Sequence, residues 1–435
     1  MMPTTQSVIP QVPSRTPLGH LRTYVGDPLA FLQAQTETYG DTFRFRLVRR
    51  QLIATRDPEL VQGVLQSKHR SVIKNKAYRK LGALLGDGLF TSDGDTWRSH
   101  RRMMQPSFHR DQILSYHRTF RHYAQDLVEE WRHHEVRGTA VDATESLTRV
   151  TLKIIAKTML GLDLDREGDT VAKHLPPALQ VLLTKITSPL ATPLWLPTAS
   201  NRIFNRSVSA LDALILGLIE TRRAAPDKGG DLLGELLQVQ DEETGQGLSD
   251  QEIRNEMLTF FLAGHETTAI ALTWTLHLLL LHPLHLAQLQ KELATLPESY
   301  TPEDLAAIPI LNPIIQEALR LLPPIWVLGR QTLEPLAIGN YDLPTGASII
   351  FSPYLIHRHP GYWSQPEAFR PERFMSPESG TPHKYAYLPF GGGPRLCIGH
   401  HFALLEMQVI LAELLRSFSH SMPQPALPGF EYSLT

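Results

Sequence analysis

The feature that most constrains this 435-residue chain is a long apolar stretch at residues 257–281. Ser249 and Glu252 form a capping box ahead of it and predict where a helix begins, and Pro283 predicts that the helix ends near His282. A helix between these signals spans roughly 50 Å at about 1.5 Å per residue. Only a large domain can bury such a helix along its middle.

The same stretch is long enough to raise the question of a membrane span. His265, Glu266 and Thr267 interrupt it, and a lone acid is costly in lipid, so we expect a helix that is buried in protein. The N-terminal residues show no basic start followed by an apolar segment, which argues against a secretion signal or a membrane anchor. A single cysteine excludes an internal disulfide and fits a reducing compartment. We therefore expect a cytoplasmic protein.

Composition says more about the fold than about partners. With 42% apolar and 20% charged residues the chain has ample material for a core, and its net charge of −2 gives no indication of a nucleic-acid partner. No linker or charge block divides the chain. We expect a flexible segment at residues 1–16 and a single domain over residues 17–435.

Periodicity predicts a mainly α fold with small β regions. Alternation over residues 42–54 is typical of a hairpin, and residues 325–352 alternate in short runs typical of small strands. Helical periodicity dominates from residue 57 to about 290 and returns at residues 311–322, where two prolines follow. A last helix is predicted from about residue 398 to 418.

Cys397 lies in a glycine-rich loop, residues 390–399, at the start of this last helix. A thiolate that binds haem iron needs backbone N–H groups aimed at the sulfur, a loop that approaches the cofactor closely and a nearby cation. Glycines permit the approach, the start of a helix favours the thiolate, and Arg395 offers the cation. A buried, inert thiol is the alternative for a lone cysteine.

The loop matches the pattern F-x-x-G-x-R-x-C-x-G at every fixed position, through Phe390, Gly393, Arg395, Cys397 and Gly399. It resembles the haem-binding loop of the cytochrome P450 family. The resemblance implies haem b with the Cys397 thiolate as its axial iron ligand and dioxygen as co-substrate. It also implies the fold of that family, a large helical domain with a long central helix and small β-sheet regions.

Two further motifs stand in the order of that family. Glu317 and Arg320 match its E-x-x-R helix and share one helical face, and Arg373 lies in the motif Pro-Glu-Arg-Phe. The resemblance implies a buried triad of these three side chains behind the cysteine loop, with a structural role. Taken alone, an E-x-x-R pair is usually a solvated helix pair.

Small and polar residues interrupt the long helix at Ala263, Gly264, Glu266 and Thr267. A satisfied polar cluster that bends the helix is one interpretation. The other is a site where Gly264 lets a ligand approach the backbone while the carboxyl and hydroxyl groups handle protons. Monooxygenation needs two protons delivered to dioxygen, and the resemblance implies that Glu266 and Thr267 serve this need, with Ala263 and Gly264 beside the cofactor.

The two carboxylates of haem need converging cations and donors. The resemblance implies this role for four residues: Trp97, Arg101, Arg330 and Arg395. His100 and Lys74 are weaker candidates. For any single arginine a solvated surface charge is the common alternative.

The residues expected by resemblance to line a substrate pocket are apolar and aromatic. They include Leu85 and Phe90, Trp195, Phe260 and Phe261, and residues 325–328. An apolar substrate such as a fatty acid or a terpenoid is therefore expected. Members of the family normally continue through a further strand pair beyond the position of Thr435, so we expect either that the sequence is truncated there or that this edge of the pocket is shortened.

Electrons must come from a separate protein, since neither a flavin-binding fingerprint nor further cysteines for a cluster are present. We expect a ferredoxin or flavodoxin-like donor with its NAD(P)H-dependent reductase. Five basic residues are candidates for the docking surface: Arg98, Arg101, Arg102, His109 and Arg110. A solubilising helix face is an equally good interpretation of this run.

Three functions remain open at this point. A monooxygenase would use dioxygen and the Glu266–Thr267 pair. A peroxide-driven peroxygenase would have no need of that pair, because peroxide already carries the protons and electrons. A haem-based gas or redox sensor would use the thiolate without a proton relay, usually beside an effector domain.

Overall fold

The computed structural model describes residues 8–164, 169–187, 192–224, 230–375 and 383–418. Its helices, in chain order, are α1 Leu21–Gly26, α2 Pro28–Tyr39, α3 Pro58–Gln62, α4 Lys76–Leu85, α5 Gly94–Met104, α6 Arg110–Ser115, α7 His117–Arg137, α8 Ala143–Leu160, α9 Asp169–Thr187, α10 Ala199–Ala224, α11 Leu232–Leu236, α12 Asp250–Leu281, α13 Pro283–Leu293, α14 Pro302–Ala306, α15 Leu311–Leu321, α16 Pro353–Ile356 and α17 His400–Ser417. Its strands are β1 Thr42–Leu47, β2 Arg50–Thr55, β3 Val72–Lys74, β4 Leu328–Thr332, β5 Leu336–Ile338, β6 Tyr341–Leu343 and β7 Ser348–Phe351.

The chain falls into two compact units. One combines Met1–Tyr78 with Leu319–Cys397, and the other combines Arg79–Ala318 with Ile398–Thr435. The first unit holds all of the described strands, and the named elements of the second unit are all helices. The mainly α fold with small β regions is thereby confirmed, and the single domain expected over residues 17–435 stays a prediction.

Five strands of the first unit form one sheet in the order β1-β2-β7-β4-β3, while β5 and β6 pair separately. The predicted hairpin is β1–β2, with Thr42 opposite Thr55, and the short strands predicted at residues 325–352 are β4 to β7. Strand β3 was not predicted, because three residues are too few to show alternation. It pairs antiparallel with β4 and places Lys74 opposite Arg330.

The N-terminal segment is held more firmly in its described part than the sequence suggested. Ile9 and Val12 are buried, and the backbone of Arg44 exchanges hydrogen bonds with this segment, to Pro10 O at 2.7 Å and from Val12 N at 2.8 Å. Strand β1 is the edge of the sheet, and residues 8–12 occupy backbone groups that an edge leaves unpaired. The flexible segment expected at residues 1–16 stays a prediction, and its described residues 8–12 are packed against β1.

Helix α12 is the predicted long helix and lies at the centre of the second unit. Its 32 residues begin with the predicted capping box, in which Ser249 Oγ accepts from Glu252 N and Glu252 accepts from Ser249 N. It packs against α8, α10 and α17, and after an exposed first turn its residues 253–261 are all buried. Among the described residues, no single helix combines the length and the apolar composition that a membrane crossing requires.

Candidate functional site

The turn that carries Cys397 is tied by its own backbone. Cys397 N donates to Phe390 O at 3.0 Å, and Leu396 N donates to Gly393 O at 3.0 Å, while the Cys397 residue itself is exposed. The following helix begins at His400 with Gly399 as its N-cap, two residues later than predicted. Cys397 thus precedes the first helical turn, and the stabilisation of its thiolate by the helix dipole stays a prediction.

The glycines of this loop make room for the protein itself. A Cβ added at Gly393 would lie 2.0 Å from the carbonyl oxygen of Leu65, and its φ of +69° disfavours other residues. A Cβ at Gly392 would lie 2.7 Å from the ring of Tyr385. The sequence suggested that these glycines permit close approach to a cofactor, whereas the structure shows that Leu65 and Tyr385 require them.

His357 connects the end of α15 to the chain that enters the cysteine loop. Its Nε2 accepts from Leu388 N at 2.9 Å, so its proton is on Nδ1, which donates to Arg320 O at 3.0 Å. Burial lowers the pKa of His357 to about 3, and the ring therefore stays neutral. This neutral link fixes the start of the loop without bringing a charge near the sulfur.

The residues of the expected structural triad are all buried. Arg320 donates to backbone carbonyls of the meander, including Pro366 O at 2.7 Å, and both its guanidinium and that of Arg373 lie over the ring of Trp363. Glu317 is fully buried one turn earlier in α15. The two arginines hold the meander backbone, as a structural role predicts, and the three-membered triad stays a prediction.

One side of α12 is open at its middle. Ala263 is exposed and Glu266, Thr267 and Ile270 are half-buried, in a helix whose preceding turns are buried. Their spacing places these four residues on one face. Thr267 Oγ1 donates to Ala263 O at 2.7 Å, and Glu266 makes no hydrogen bond or ion pair within the described part of the chain. The structure therefore brings together Ala263, Glu266 and Thr267, as the sequence predicted.

Gly264 faces away from this open stripe. A Cβ at this position would lie 2.4 Å from Ile155 Cδ1 of α8, and in the next residue His265 O accepts from Thr151 Oγ1 at 2.9 Å. Helix α8 therefore crosses α12 at Gly264. The glycine serves close helix packing, and the ligand approach predicted for it is not possible on the side where Ile155 lies.

The cations expected for an anionic ligand lie in both units. In the first, Lys74 and Arg330 are buried directly opposite each other on β3 and β4, and Arg395 is half-buried. Like charges at opposed positions repel, so this place in the sheet suits a carboxylate. In the second unit, Trp97 is buried on α5, and half-buried Arg101 follows it one turn later. Lys74, a weaker candidate for a carboxylate contact from the sequence, thus lies directly opposite the candidate Arg330.

His100 was a weaker candidate for binding a haem carboxylate, and in the structure its ring contacts two acidic side chains of the protein. Its Nδ1 lies 2.7 Å from a carboxylate oxygen of Glu256, and its Nε2 lies 3.4 Å from Glu252. Both of its ring nitrogens are thus occupied by acids of α12. His100 is not available to a propionate.

The apolar residues expected around a substrate divide into two groups. Leu85, Phe260 and Phe261 are buried and belong to the core, whereas Phe90 and Trp195 are exposed. From the sequence the groups were indistinguishable, since both are simply apolar. Residues 325–328, the remaining expected lining, are half-buried.

Each unit by itself offers groups that suit haem. In the first unit, the thiol of Cys397 suits iron, and Lys74, Arg330 and Arg395 suit the carboxylates of haem. In the second unit, the open stripe of α12 offers the hydroxyl of Thr267 and the carboxyl of Glu266 beside Ala263. Within the described residues, no group of three or more His, Cys, Asp or Glu side chains forms an alternative metal site.

Comparison with known proteins agrees with this fit. A family model described as cytochrome P450 matches residues 10–431. Cyclooctatin synthase of Streptomyces melanosporofaciens is 33% identical over 92% of this chain and 88% of its own length, and cyclooctat-9-en-7-ol 5-monooxygenase of the same organism is 32% identical over 91% and 86%. A solved cytochrome P450DA heme domain is 32% identical, covers 94% of this chain and 91% of its own, and superposes with a TM-score of 0.84.

Proposed function

This chain belongs to the cytochrome P450 family and is a P450 monooxygenase, and from that premise we propose that it inserts one atom of dioxygen into a largely hydrocarbon substrate of the terpenoid type. The observation that carries the proposal is the open stripe of α12, where Glu266 and Thr267 lie beside Ala263 in the middle of the helix. A fatty acid is the second substrate class considered. The name of one relative, a monooxygenase of cyclooctat-9-en-7-ol, favours a cyclic substrate.

In the proposed site, Cys397 Sγ would hold the haem iron, and five side chains would hold the haem carboxylates: Trp97, Arg101, Arg330, Arg395 and, in addition to those predicted, Lys74. When bound, haem supplies an iron centre that takes up electrons and activates dioxygen, with electron density pushed toward the oxygen by the thiolate. The neutral His357 and the glycines packed on Leu65 and Tyr385 keep the cysteine loop in position.

Thr267 would hold the proton that the reaction consumes. Its Oγ1 donates to Ala263 O in this structure. Turning the hydroxyl away from that carbonyl costs about 1 kcal/mol, the net value of one neutral hydrogen bond, so the hydroxyl is readily turned toward a ligand. Glu266 is half-buried next to it, and its carboxyl group would pass a proton to Thr267 as Thr267 gives one up.

Electrons would come from a separate donor, as P450 enzymes of this kind require redox partners. We propose a ferredoxin or flavodoxin-like protein with its NAD(P)H-dependent reductase. The apolar substrate would be held mainly by burial of its surface, which favours binding by about 25 cal/mol per Å².

Replacing Thr267 by Ala tests the proposed proton path. With a reduced donor and an accepted terpene, we expect the variant to consume dioxygen at a rate within a few-fold of wild type, while product per dioxygen falls about tenfold or more, because proton delivery of this kind contributes roughly 10²–10⁴-fold. Oxygen uptake and product yield, measured together, report the ratio.

Three outcomes would contradict this account. Intact coupling in the variant would exclude the role of Thr267. Product formed with peroxide but not with reduced donor would favour the peroxygenase, and ligand binding without any product would favour the sensor.

A further inference from the structure

The last two residues of α4 and the turn after them, residues 84–92, are attached to α12 by charged side chains. Leu89 N donates to both carboxylate oxygens of Glu256, at 2.8 and 3.0 Å. Arg254 Nη1 donates to Leu84 O at 2.9 Å. Arg254 and Glu256, which we call the loop clamp, are two residues apart in α12 and bind the first residue of the segment and one near its middle.

The fit of the segment to the helix is close. A Cβ at Gly86, where φ is +61°, would lie 2.3 Å from Asn255 Oδ1, and one at Gly88 would lie 2.7 Å from Thr259 Oγ1. The segment is also tied internally, since Thr91 Oγ1 donates to Gly86 O at 2.6 Å. It therefore moves as one piece, and a change in the clamp displaces the whole segment.

The clamp residues are buried charges with partners on other helices. Glu256 is fully buried and Arg254 is 5% exposed. Arg254 Nε donates to Asp212 of α10 at 2.7 Å, and His100 of α5 meets Glu256 at 2.7 Å. Burying two charges in this way is costly unless both are fully paired, so the arrangement is held only while all partners stay in place.

The charge on His100 is favoured by the same cluster. Burial lowers the pKa of His100, but the hydrogen bonds and charges of Glu256 and Glu252 more than offset this effect and raise it. The two acids thus favour the protonated ring of His100 beside the carboxylate that receives Leu89 N. Glu252 reaches His100 and its own helix cap but makes no hydrogen bond to residues 84–92 in the structure.

We propose that Arg254 and Glu256 are positioning residues that fix residues 84–92, and with them the exposed ring of Phe90, and thereby determine which apolar substrates the enzyme accepts. The proposal rests on the proposed function, because it takes Phe90 as a substrate contact. Phe90 is 36% exposed while its neighbour Leu89 is buried, so the segment presents this one large aromatic face. Ordering such a face before binding reduces the entropy cost of holding a substrate.

The first arm of the test measures hydrogen exchange of residues 84–92 in the haem-loaded full chain. Glu256→Ala removes both acceptors of Leu89 N, Glu256→Gln keeps one oxygen, and Glu252→Gln is the matched control that preserves the capping box. We expect exchange of this segment to increase about tenfold in the Ala variant, less in the Gln variant and not at all in the control, since a charge-assisted hydrogen bond is worth about 1.5–3 kcal/mol.

The second arm measures dissociation constants for a size series of cyclic and linear terpenes, followed by the substrate-induced shift of the haem absorption. We expect Glu256→Ala to raise the dissociation constant of the preferred substrate about tenfold and to reduce the ratio between the dissociation constants of poor and preferred substrates. Its kcat should change less than its KM. Phe90→Ala should reduce the same ratio of dissociation constants, while hydrogen exchange of residues 84–92 stays at the wild-type rate. On the other side, Arg254→Gln is expected to act like Glu256→Ala, and Asp212→Asn, which removes the charge of the acid that pairs with Arg254 but keeps an acceptor oxygen, is expected to act in the same direction and less strongly.

Equal hydrogen exchange of residues 84–92 in the Glu256→Ala and Glu252→Gln variants would overturn the proposal. Faster exchange in Glu256→Ala with an unchanged ratio of the dissociation constants of poor and preferred substrates would also overturn it. Failure of the wild-type protein to bind any apolar compound would instead contradict the proposed function. The exchange arm needs no substrate, so the two failures are distinguishable.

Discussion

Glu406 is a fully buried acid in α17 for which the sequence suggested no role. Neither carboxyl oxygen of Glu406 has a hydrogen-bond partner among the described residues. The hydroxyl of Thr268, which lowers the pKa of Glu406, donates its own hydrogen to Gly264 O at 3.1 Å. Burial raises the pKa of Glu406 well above 4.5, and the effect of Thr268 is the smaller one. The side chain is therefore held as the neutral acid.

Replacing Glu406 by Gln should stabilise the protein above pH 4.5. In wild type the unfolded chain ionises at about pH 4.5 while the folded chain keeps its proton, so stability decreases as pH rises from 4.5 through the raised pKa. The amide does not titrate, and we expect an advantage of about 1 kcal/mol or more at pH 8. Unfolding in urea at pH 5, 6, 7 and 8 measures the difference, which should grow with pH.

Glu413 of the same helix is the control. Its carboxylate accepts from Arg121 Nε and from the Tyr300 hydroxyl, each at 2.8 Å. Glu413→Gln should therefore destabilise the protein, by about 1–3 kcal/mol for loss of a charge-assisted pair. A Glu406→Gln variant that is no more stable than wild type at any pH would show that the buried acid has a partner.

At the scale of elements, the crossing of α8 and α12 at Gly264 decides whether the open stripe keeps its position. Alanine at 264 gains about 1 kcal/mol in helix propensity but meets Ile155, at a cost of about 1–3 kcal/mol for overpacking. We expect net destabilisation in Gly264→Ala that is reduced by Ile155→Val, which removes the Cδ1 at 2.4 Å and leaves the Cγ1 at 2.9 Å. A double-mutant cycle from urea unfolding measures the coupling.

Gly217 provides the comparison for this prediction. It lies inside α10, and a Cβ there meets no atom within 4 Å. Gly217→Ala should stabilise the protein by up to about 1 kcal/mol. Equal effects of alanine at 217 and 264 would mean that α8 does not constrain the stripe.

The elements themselves were largely predictable, and the reason lies in their local signals. The capping box at Ser249 and the stop at Pro283 are contained in the sequence, so the bounds of α12 were predicted within a residue or two. Three-residue β3 has no local signal, and its existence depends on pairing with β4, more than 250 residues away. The packing roles of Gly264 and Gly393 were hidden for the same reason, because their neighbours Ile155 and Leu65 are distant in sequence.

The site was predictable where one motif supplies both residue type and position. Cys397, Glu266 and Thr267 belong to such motifs, whereas the clamp residues Arg254 and Glu256 are ordinary charges in the sequence. Only their burial and their partners distinguish them from a solvated helix face.

For the whole molecule, the basic run proposed to dock an electron donor is narrower than the sequence indicated. Arg102 pairs with Asp241 and Glu243, and Arg98 pairs with Asp95. Arg110 is exposed and makes no ion pair among the described residues. Arg110 is thus the residue of the run whose charge is best placed for a partner.

Reversing the charge of Arg110 should slow reduction by an acidic ferredoxin. We expect Arg110→Glu to reduce the rate several-fold at low ionic strength and little at high salt, because exposed charges are screened beyond about 10 Å at 0.1 M salt. Arg202→Glu on α10 makes the same change in net charge and should have less effect. Stopped-flow measurement of the reduction rate at two salt concentrations tests this prediction. Equal reduction rates for Arg110→Glu and Arg202→Glu would show that Arg110 is not part of the docking surface.

The central claim is that Cys397 binds haem iron as a thiolate, and the absorption spectrum of the reduced, carbon monoxide-bound protein tests it most directly. The account predicts a long-wavelength Soret band in the wild type and its loss in Cys397→Ser, while Glu266→Gln keeps the band. A wild-type band at the shorter wavelength of histidine-ligated haem, or the same long-wavelength band in Cys397→Ser, would contradict the claim.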